Sequence, residues 1–348
     1  MKTSDLKYLL AYITPFTGWI SLAYDGWWSW TAVIFMFGVV PVVDALLPTD
    51  DHNHTPSAEE GRSSSRVFDL LLYLNLPILY ALFIGFFVLA SQGDMATADL
   101  VGKMLSIGFI GGAIGINVAH EIGHRPEWYN QWVSRLLLLP ELYMHFNIEH
   151  NRGHHKWVST PHDPASSRYG ESVYRFWLRT VSGSFISACR IERDDAKRHG
   201  YAVWSLKNKM VLFIIIQLGY LLFVGLVFGW AIVPLAICMA VAGFTLLEVV
   251  NYIEHYGLTR QKLASGRYEP VQPHHSWNSD HYFGRILLYE LTRHSDHHYK
   301  SSRKYQVLRH LDESPQMPLG YPASMLMSLL PPLWFSVMHR HPALQTAS

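Results

Sequence analysis

Long uncharged stretches divide this chain more clearly than any alternation of apolar and polar residues does. Leu70 to Ala90, LLLYLNLPILYALFIGFFVLA, carries no charge, and as a helix it is long enough to cross about 30 Å of hydrocarbon. Met210 to Leu247 is uncharged throughout, roughly 57 Å of helix, so it reads as two spans with a turn near Gly229, Trp230 and Pro234. Upstream, Tyr8 to Tyr24 and Gly26 to Val43 are two shorter apolar runs separated by Asp25, with Trp27, Trp28 and Trp30 where an interfacial belt would lie. They predict an anchoring hairpin. A cleaved signal peptide is the weaker reading, since Tyr8 to Tyr24 lacks a small-x-small cleavage site and a second apolar run follows at once. A further span from about Thr97 to Ala119 carries Lys103 near its outer end, within snorkelling reach of the interface. The pattern predicts an all-α integral membrane protein with six spans near residues 8–24, 26–47, 68–91, 97–119, 209–229 and 231–253. Residues 120–208 and 254–348 form a helical cap, and residues 1–348 make one membrane-embedded domain. Pro322 to Met338, interrupted by Pro331 and Pro332, is expected to lie along the bilayer surface.

Composition agrees with that class. Of the 348 residues, 49% are hydrophobic and only 16% charged, against about 25% charged in soluble domains. There is no linker-like tract and no internal repeat. A net charge of +1 gives no reason to expect nucleic acid as a partner. Cys189 and Cys238 are isolated, which excludes a cysteine-built zinc or iron–sulfur site and a disulfide framework. The basic residues set an orientation. No Lys or Arg lies between Lys7 and Arg62, nor from Met210 to Thr259, so the turns near Asp25 and Trp230 read as external. Lys2, Lys7, Arg62, Arg66 and the 12 basic residues between His120 and Asn208 then lie on the cytoplasmic side, with both termini and the cap.

Histidine is the anomaly, with 20 residues against 28 Lys and Arg together. Nine fall into four places: HEIGH at His120 to His124, EHNRGHH at Glu149 to His155, His255 in NYIEHYG, and RHSDHH at Arg293 to His298. On an α-helix His120 and His124 share a face, as do His150 and His154, so each pair is expected to bite one metal ion. His155 would stand to the side of its pair, able to complete that site or reach another ion. His294, His297 and His298, at i, i+3 and i+4, would project from one face. The topology gathers all four places at one membrane face. Nine nitrogen donors exceed the needs of one ion but suit two five- or six-coordinate ions with open positions. Imidazole alone does not separate iron, zinc, copper and nickel.

Acids near these clusters are candidates to accept the second ring N–H of a ligand: Glu121, Glu149, Asp163, Glu254 and Asp296. Glu248 is another, an acid in the last turns of a span, seven residues before His255 and so on about the same face. His52, His54, His199, His310, His339 and His341 read as solvated surface, while His145, His162, His274, His275 and His281 lie near enough to the clusters for hydrogen bonding. Two other classes fit less well. HEIGH matches the H-E-x-x-H pattern of zinc proteases, but that reading leaves seven clustered histidines without a role and RPEWYN follows where a metzincin would continue. A metal transporter would hold its ligands near the bilayer midplane, not at the ends of spans.

The three boxes His120/His124, His150/His154/His155 and His294/His297/His298, with NYIEHYGLTRQK at Asn251 to Lys262, PHHSWNSDH at Pro273 to His281 and LTRHSDHH, resemble the integral-membrane non-haem di-iron alkane hydroxylases. That family lies within the fatty-acid desaturase and hydroxylase superfamily, and the similarity runs from about Trp28 to Met338. The resemblance implies six transmembrane helices under a cytosolic helical cap, with His120, His124, His150, His154, His155, His255, His294, His297 and His298 around two iron ions and no haem. It implies terminal hydroxylation of medium-chain n-alkanes with dioxygen, and electrons from rubredoxin and its reductase, in the cytoplasmic membrane. A fatty-acyl desaturase or hydroxylase, or an alkylaromatic monooxygenase, is the alternative within the same superfamily. No C-x-x-C pair is present to build a fused rubredoxin, so the expected donor is a separate protein. An alkane is already dissolved in the bilayer, and a tunnel between apolar helices would deliver it; Met36, Phe37, Leu105 and Phe109 are candidate lining residues.

Overall fold

A computed structural model describes residues 3–345; Lys2 lies outside them. Among the described residues regular structure is helical, and β-pairing is limited to isolated bridges such as Thr49 with His281. Five helices are long and apolar enough to cross a membrane: Gly26–Leu46, Arg66–Ser91, Thr97–Gly123, Lys209–Phe228 and Ile232–His255. The chain is an all-α integral membrane protein.

The sixth expected span is not among them. Tyr8 to Tyr24 is divided between a 3-10 helix, Thr3–Tyr12, and an 11-residue α-helix, Ile13–Ala23. The reason lies in what holds the first part. Tyr8 is fully buried and its hydroxyl donates to Glu290 at 2.6 Å, with Lys7 Nζ at 3.2 Å from the same oxygen. Those bonds tie the run to the polar cap. Lys103 is 3% exposed; its Nζ donates to the carbonyls of Leu22 and Tyr24, each at 3.0 Å, and pairs with Asp25, in the turn that follows Ala23, at 2.9 Å. A buried ammonium is tolerable here because it closes the carbonyl end of the Ile13–Ala23 helix.

The third and fifth spans form the centre of the bundle. Over its most apolar stretch Thr97–Gly123 is 78% buried, whereas Lys209–Phe228 is 17% buried and turns most of its surface outward. Glycine permits the close approach of the central pair. A Cβ on Gly108 would meet the Met239 carbonyl at 2.8 Å, and one on Gly112 would meet that of Gly243 at 2.6 Å. The third span also widens into a π-helical stretch at Gly111–Ile116, just before its histidines. Pro322 to Met338 forms two short helices, Tyr321–Ser328 and Pro331–Met338, broken where Pro331 and Pro332 cannot continue the ladder. Leu329, Leu330 and Leu333 face outward while Trp334 and Met338 pack inward.

Candidate metal centre

Four helical pieces bring the nine clustered histidines together. His120 and His124 end the third span and His255 ends the fifth. His150, His154 and His155 follow the short helix Phe146–Glu149, and His294, His297 and His298 ride on the helix His294–Tyr299. Their ring nitrogens form two groups, each with its nitrogens within 4.8 Å of one another: His120, His124, His150, His155 and His297 in one, His154, His255, His294 and His298 in the other.

This partition corrects the i, i+4 pairing expected for His150 and His154, which fall in different groups. His150–His154 is π-helical, and its i→i+5 closure brings His155 onto the face of His150, with the Nε2 atoms 3.0 Å apart. His154 is turned toward His298 instead, at 3.2 Å. The helix His294–Tyr299 divides its rings too. His297 faces His120 at 2.9 Å, while His294 faces His255 at 3.3 Å.

The donor set fits metal ions. With metal–nitrogen bonds of about 2.0–2.1 Å, adjacent ligand nitrogens stand about 2.9 Å apart in an octahedron and about 3.3 Å apart in a tetrahedron. The closest Nε2 pairs, from 2.9 Å for His120 and His297 to 3.3 Å for His255 and His294, lie in that interval. The rings are also prepared as neutral donors. Burial, reinforced by neighbouring rings, holds His150, His155, His294, His297 and His298 well below the usual imidazole range. Burial and then His154 push His124 down to about 3. For His154 burial also acts downward, but Asp163 outweighs it and the ring is raised. Each of the two groups could hold a metal ion.

The six candidate acids divide. Asp163 Oδ2 stands 2.8 Å from Nδ1 of His154, behind the ring, whereas Glu254 Oε2 stands 3.2 Å from Nε2 of His294, the nitrogen that also faces His255, and so does not take that ring's second N–H. The other four have different partners. Asp296 is bound by Arg303 and Arg309, at 3.1 and 2.9 Å. Glu121 takes Arg125 at 3.2 Å and the Tyr305 amide at 3.3 Å, which leaves it badly placed for the general base that a zinc protease needs. Glu149 is pushed up to about 8 by burial and by Asp163, and it accepts from Ser187 rather than from a ligand ring. Glu248 accepts from Tyr143, Thr180 and Asn251. Of the remaining histidines, His310, His339 and His341 are partly buried instead of solvated: His310 Nδ1 is 2.7 Å from Asp280, His339 stacks on Tyr169, and His341 lies on Trp277.

An apolar cavity abuts the site. His120, His150 and His294 line it together with Gly112, Leu246 and Val250. A second apolar cavity shares Ala113, Leu246, Val250 and Leu288 with it and reaches Met36 and Phe37 in the first span. Phe109 packs behind Phe37, ring centres 5.3 Å apart, and neither it nor Leu105 lines these cavities. Sequence reasoning passed over Asn117 and Asn251, which also line the first cavity. A signal was present, because they precede His120 by three residues and His255 by four, spacings that place an amide on the ligand face.

Residues 98–327, the stretch that carries all nine clustered histidines, match the fatty acid desaturase family. Alkane 1-monooxygenase 2 of Pseudomonas aeruginosa is 39% identical over 93% of this chain and 87% of its own length. Alkane 1-monooxygenase 1 of Alcanivorax borkumensis is 39% identical over 93% of this chain and 81% of its own. The xylene/toluene monooxygenase hydroxylase component of Pseudomonas putida is 30% identical, over 96% and 87%. Identity of that extent leaves no room for a borrowed motif on an unrelated scaffold: the chain belongs to the alkane 1-monooxygenase family, within the wider fatty acid desaturase group.

Proposed function

We propose that this protein hydroxylates the terminal methyl group of medium-chain n-alkanes, R–CH3 + O2 + 2 e⁻ + 2 H⁺ → R–CH2OH + H2O, using two irons held by the nine histidines. One observation carries the reading: the apolar cavity ends on His120, His150 and His294. A saturated hydrocarbon offers no polar handle, so acid–base or nucleophilic groups have nothing to act on. Bound iron would supply the reductive activation of dioxygen that such a bond requires. His120, His124, His150, His155 and His297 would hold one ion, and His154, His255, His294 and His298 the other. The chain's remaining contribution is positional. Leu246, Val250 and Leu288 exclude water and hold the chain end-on, while Asp163 keeps the proton of His154 on Nδ1 and its lone pair on Nε2.

The electron donor in this reading is a separate rubredoxin-type protein, and the site faces the cytoplasm from the cytoplasmic membrane. The placement of basic residues supports that orientation. Metal analysis of the purified protein, combined with gas chromatography of products from octane, toluene and a fatty acid, tests the whole reading. Iron near two per chain with 1-octanol as product is the expected result. One zinc and no oxygenated product would overturn it, and benzyl alcohol in preference to octanol would move the substrate to alkylaromatics.

A further inference from the structure

We propose that Asn117 and Asn251 form an acceptor site for the hydroxyl group of the alcohol product at the histidine end of the apolar cavity, and that Glu248 is the positioning residue that orients Asn251. The inference rests on the alkane-hydroxylase reading for the identity of the product. Its geometry rests on the cavity alone.

Both amides line the cavity beside His120 and His294, and both are almost buried, at 7% and 6% exposure. Their orientation follows from the oxygens they face. Asn117 Nδ2 donates to the Leu288 carbonyl at 3.0 Å, and Asn251 Nδ2 donates to Glu248 Oε2 at 3.2 Å. Flipping either amide would set oxygen against oxygen. Each Oδ1 is therefore the atom left for the cavity. Glu248 is itself held still, because Tyr143 Oη donates to one of its oxygens at 2.7 Å and Thr180 Oγ1 to the other at 2.9 Å. Tyr143 in turn stacks on Phe244, ring centres 4.9 Å apart. An acid in the last turns of a span thus serves a cavity amide, not a ligand ring.

The chemistry of the reaction explains why acceptors belong there. An alkane neither donates nor accepts, so the amides contribute nothing to its binding. Once the methyl group carries oxygen, a buried O–H donor appears, and leaving it unpaired in an apolar cavity is unfavourable. An amide oxygen satisfies it. Glu254 lines the same end, its Oε2 3.2 Å from Nε2 of His294, and is the competing acceptor that the double Asn117→Leu, Asn251→Leu variant separates from the amides.

The test compares two isomers of one formula. Binding of radiolabelled 1-octanol to the solubilised, iron-loaded protein is competed with unlabelled 1-octanol or with 1-methoxyheptane, which has the same atoms and no O–H. In the wild type octanol should bind about tenfold more tightly than the ether, the worth of one net hydrogen bond. Asn117→Leu and Asn251→Leu should each lower that ratio, and together bring it close to one. Glu248→Gln, whose amide oxygen still accepts from Asn251, should keep most of the preference, while Glu248→Leu should lose as much as Asn251→Leu does. Bound iron and the thermal unfolding midpoint report whether a variant is folded, and Asn251→Ala serves where Leu is not accommodated. Equal binding of the two isomers in the wild type overturns the proposal. So does a preference that survives in the double variant, which would assign the hydroxyl to the metal or to Glu254. Absence of octane hydroxylation in the wild type would overturn the functional reading instead, and the isomer ratio would still decide the acceptor site.

Discussion

Asp163 Oδ2 lies 2.8 Å from Nδ1 of His154, with 1% and 0% of the histidine and aspartate side chains exposed. A carboxylate behind a ring pins its tautomer, so the Nε2 lone pair points at the group shared with His255, His294 and His298. Asp163→Asn should weaken metal binding at that group by about 10–100-fold. Chelator titration followed by metal analysis measures it, and one of two ions should leave early. Loss of both ions together, or of neither, would contradict the assignment.

Neighbouring residues His154 and His155 serve different groups, which makes a pair of single variants informative. His154→Ala should deplete the four-histidine group and His155→Ala the five-histidine group, each leaving near one iron per chain. His294→Ala should abolish hydroxylation with the protein still inserted in the membrane. Retained turnover with full iron content would remove that residue from the ligand set.

Ala113 lies where the two apolar cavities adjoin. Ala113→Leu should narrow the junction and shift the preferred substrate toward shorter alkanes. Product yields across a hexane to dodecane series report this, and an unchanged profile would place the hydrocarbon elsewhere.

Gly112 faces the Gly243 carbonyl and Leu246 across the central helix pair. Gly112→Ala forces a methyl group into that contact and should cost about 1–3 kcal/mol. Thermal unfolding in detergent should show a lowered midpoint; an unaltered one would mean the spans can separate freely.

The metal-free protein should lose stability in acid. Burial pushes His145 and His275 down to about 4, helped for His275 by His274, and His124 lies at about 3. Unfolded, these rings titrate near 6.5, so below about pH 6.5 the unfolded chain takes up protons that the folded one refuses. Their stabilisation is present above that pH and is lost as it falls toward 4. His154 has the opposite sign, since its folded value is raised: its contribution is present below about pH 6.5 and is lost as pH rises through the folded value. Glu149, pushed up to about 8, has the same sign as His154: its contribution is full below about pH 4.5 and is lost as pH rises toward 8. These two groups stand against the lowered rings of His124, His145, His150, His155, His275, His294, His297 and His298, which leaves a net loss in acid. Unfolding midpoints from about pH 7.5 to 4.5 should decline, and a flat profile would argue against neutral buried rings.

Much of this was legible in the sequence because the signals are local. An uncharged run of sufficient length has few options but a membrane, and five of the six expected spans are present as helices. Tyr8 to Tyr24 differs because its leading residues are held by Glu290, more than 280 positions away. The acids behaved likewise. Asp296 stands inside a histidine box, yet Arg303 and Arg309 take it, and adjacency in sequence does not specify which way a carboxylate points.

What the sequence determined on its own was the kind of molecule and its donor inventory: helical spans, nine imidazoles in four places, and no thiolate cluster to compete with them. What only the tertiary structure decided was the division of those donors into five and four. The physical reason is the π-helical stretch at His150–His154, where one extra residue in a turn rotates His154 away from His150 and puts His155 in its place. Composition carries no signature of that change, because an i→i+5 closure uses the same residues as an i→i+4 one and is selected by the rings that pack against it.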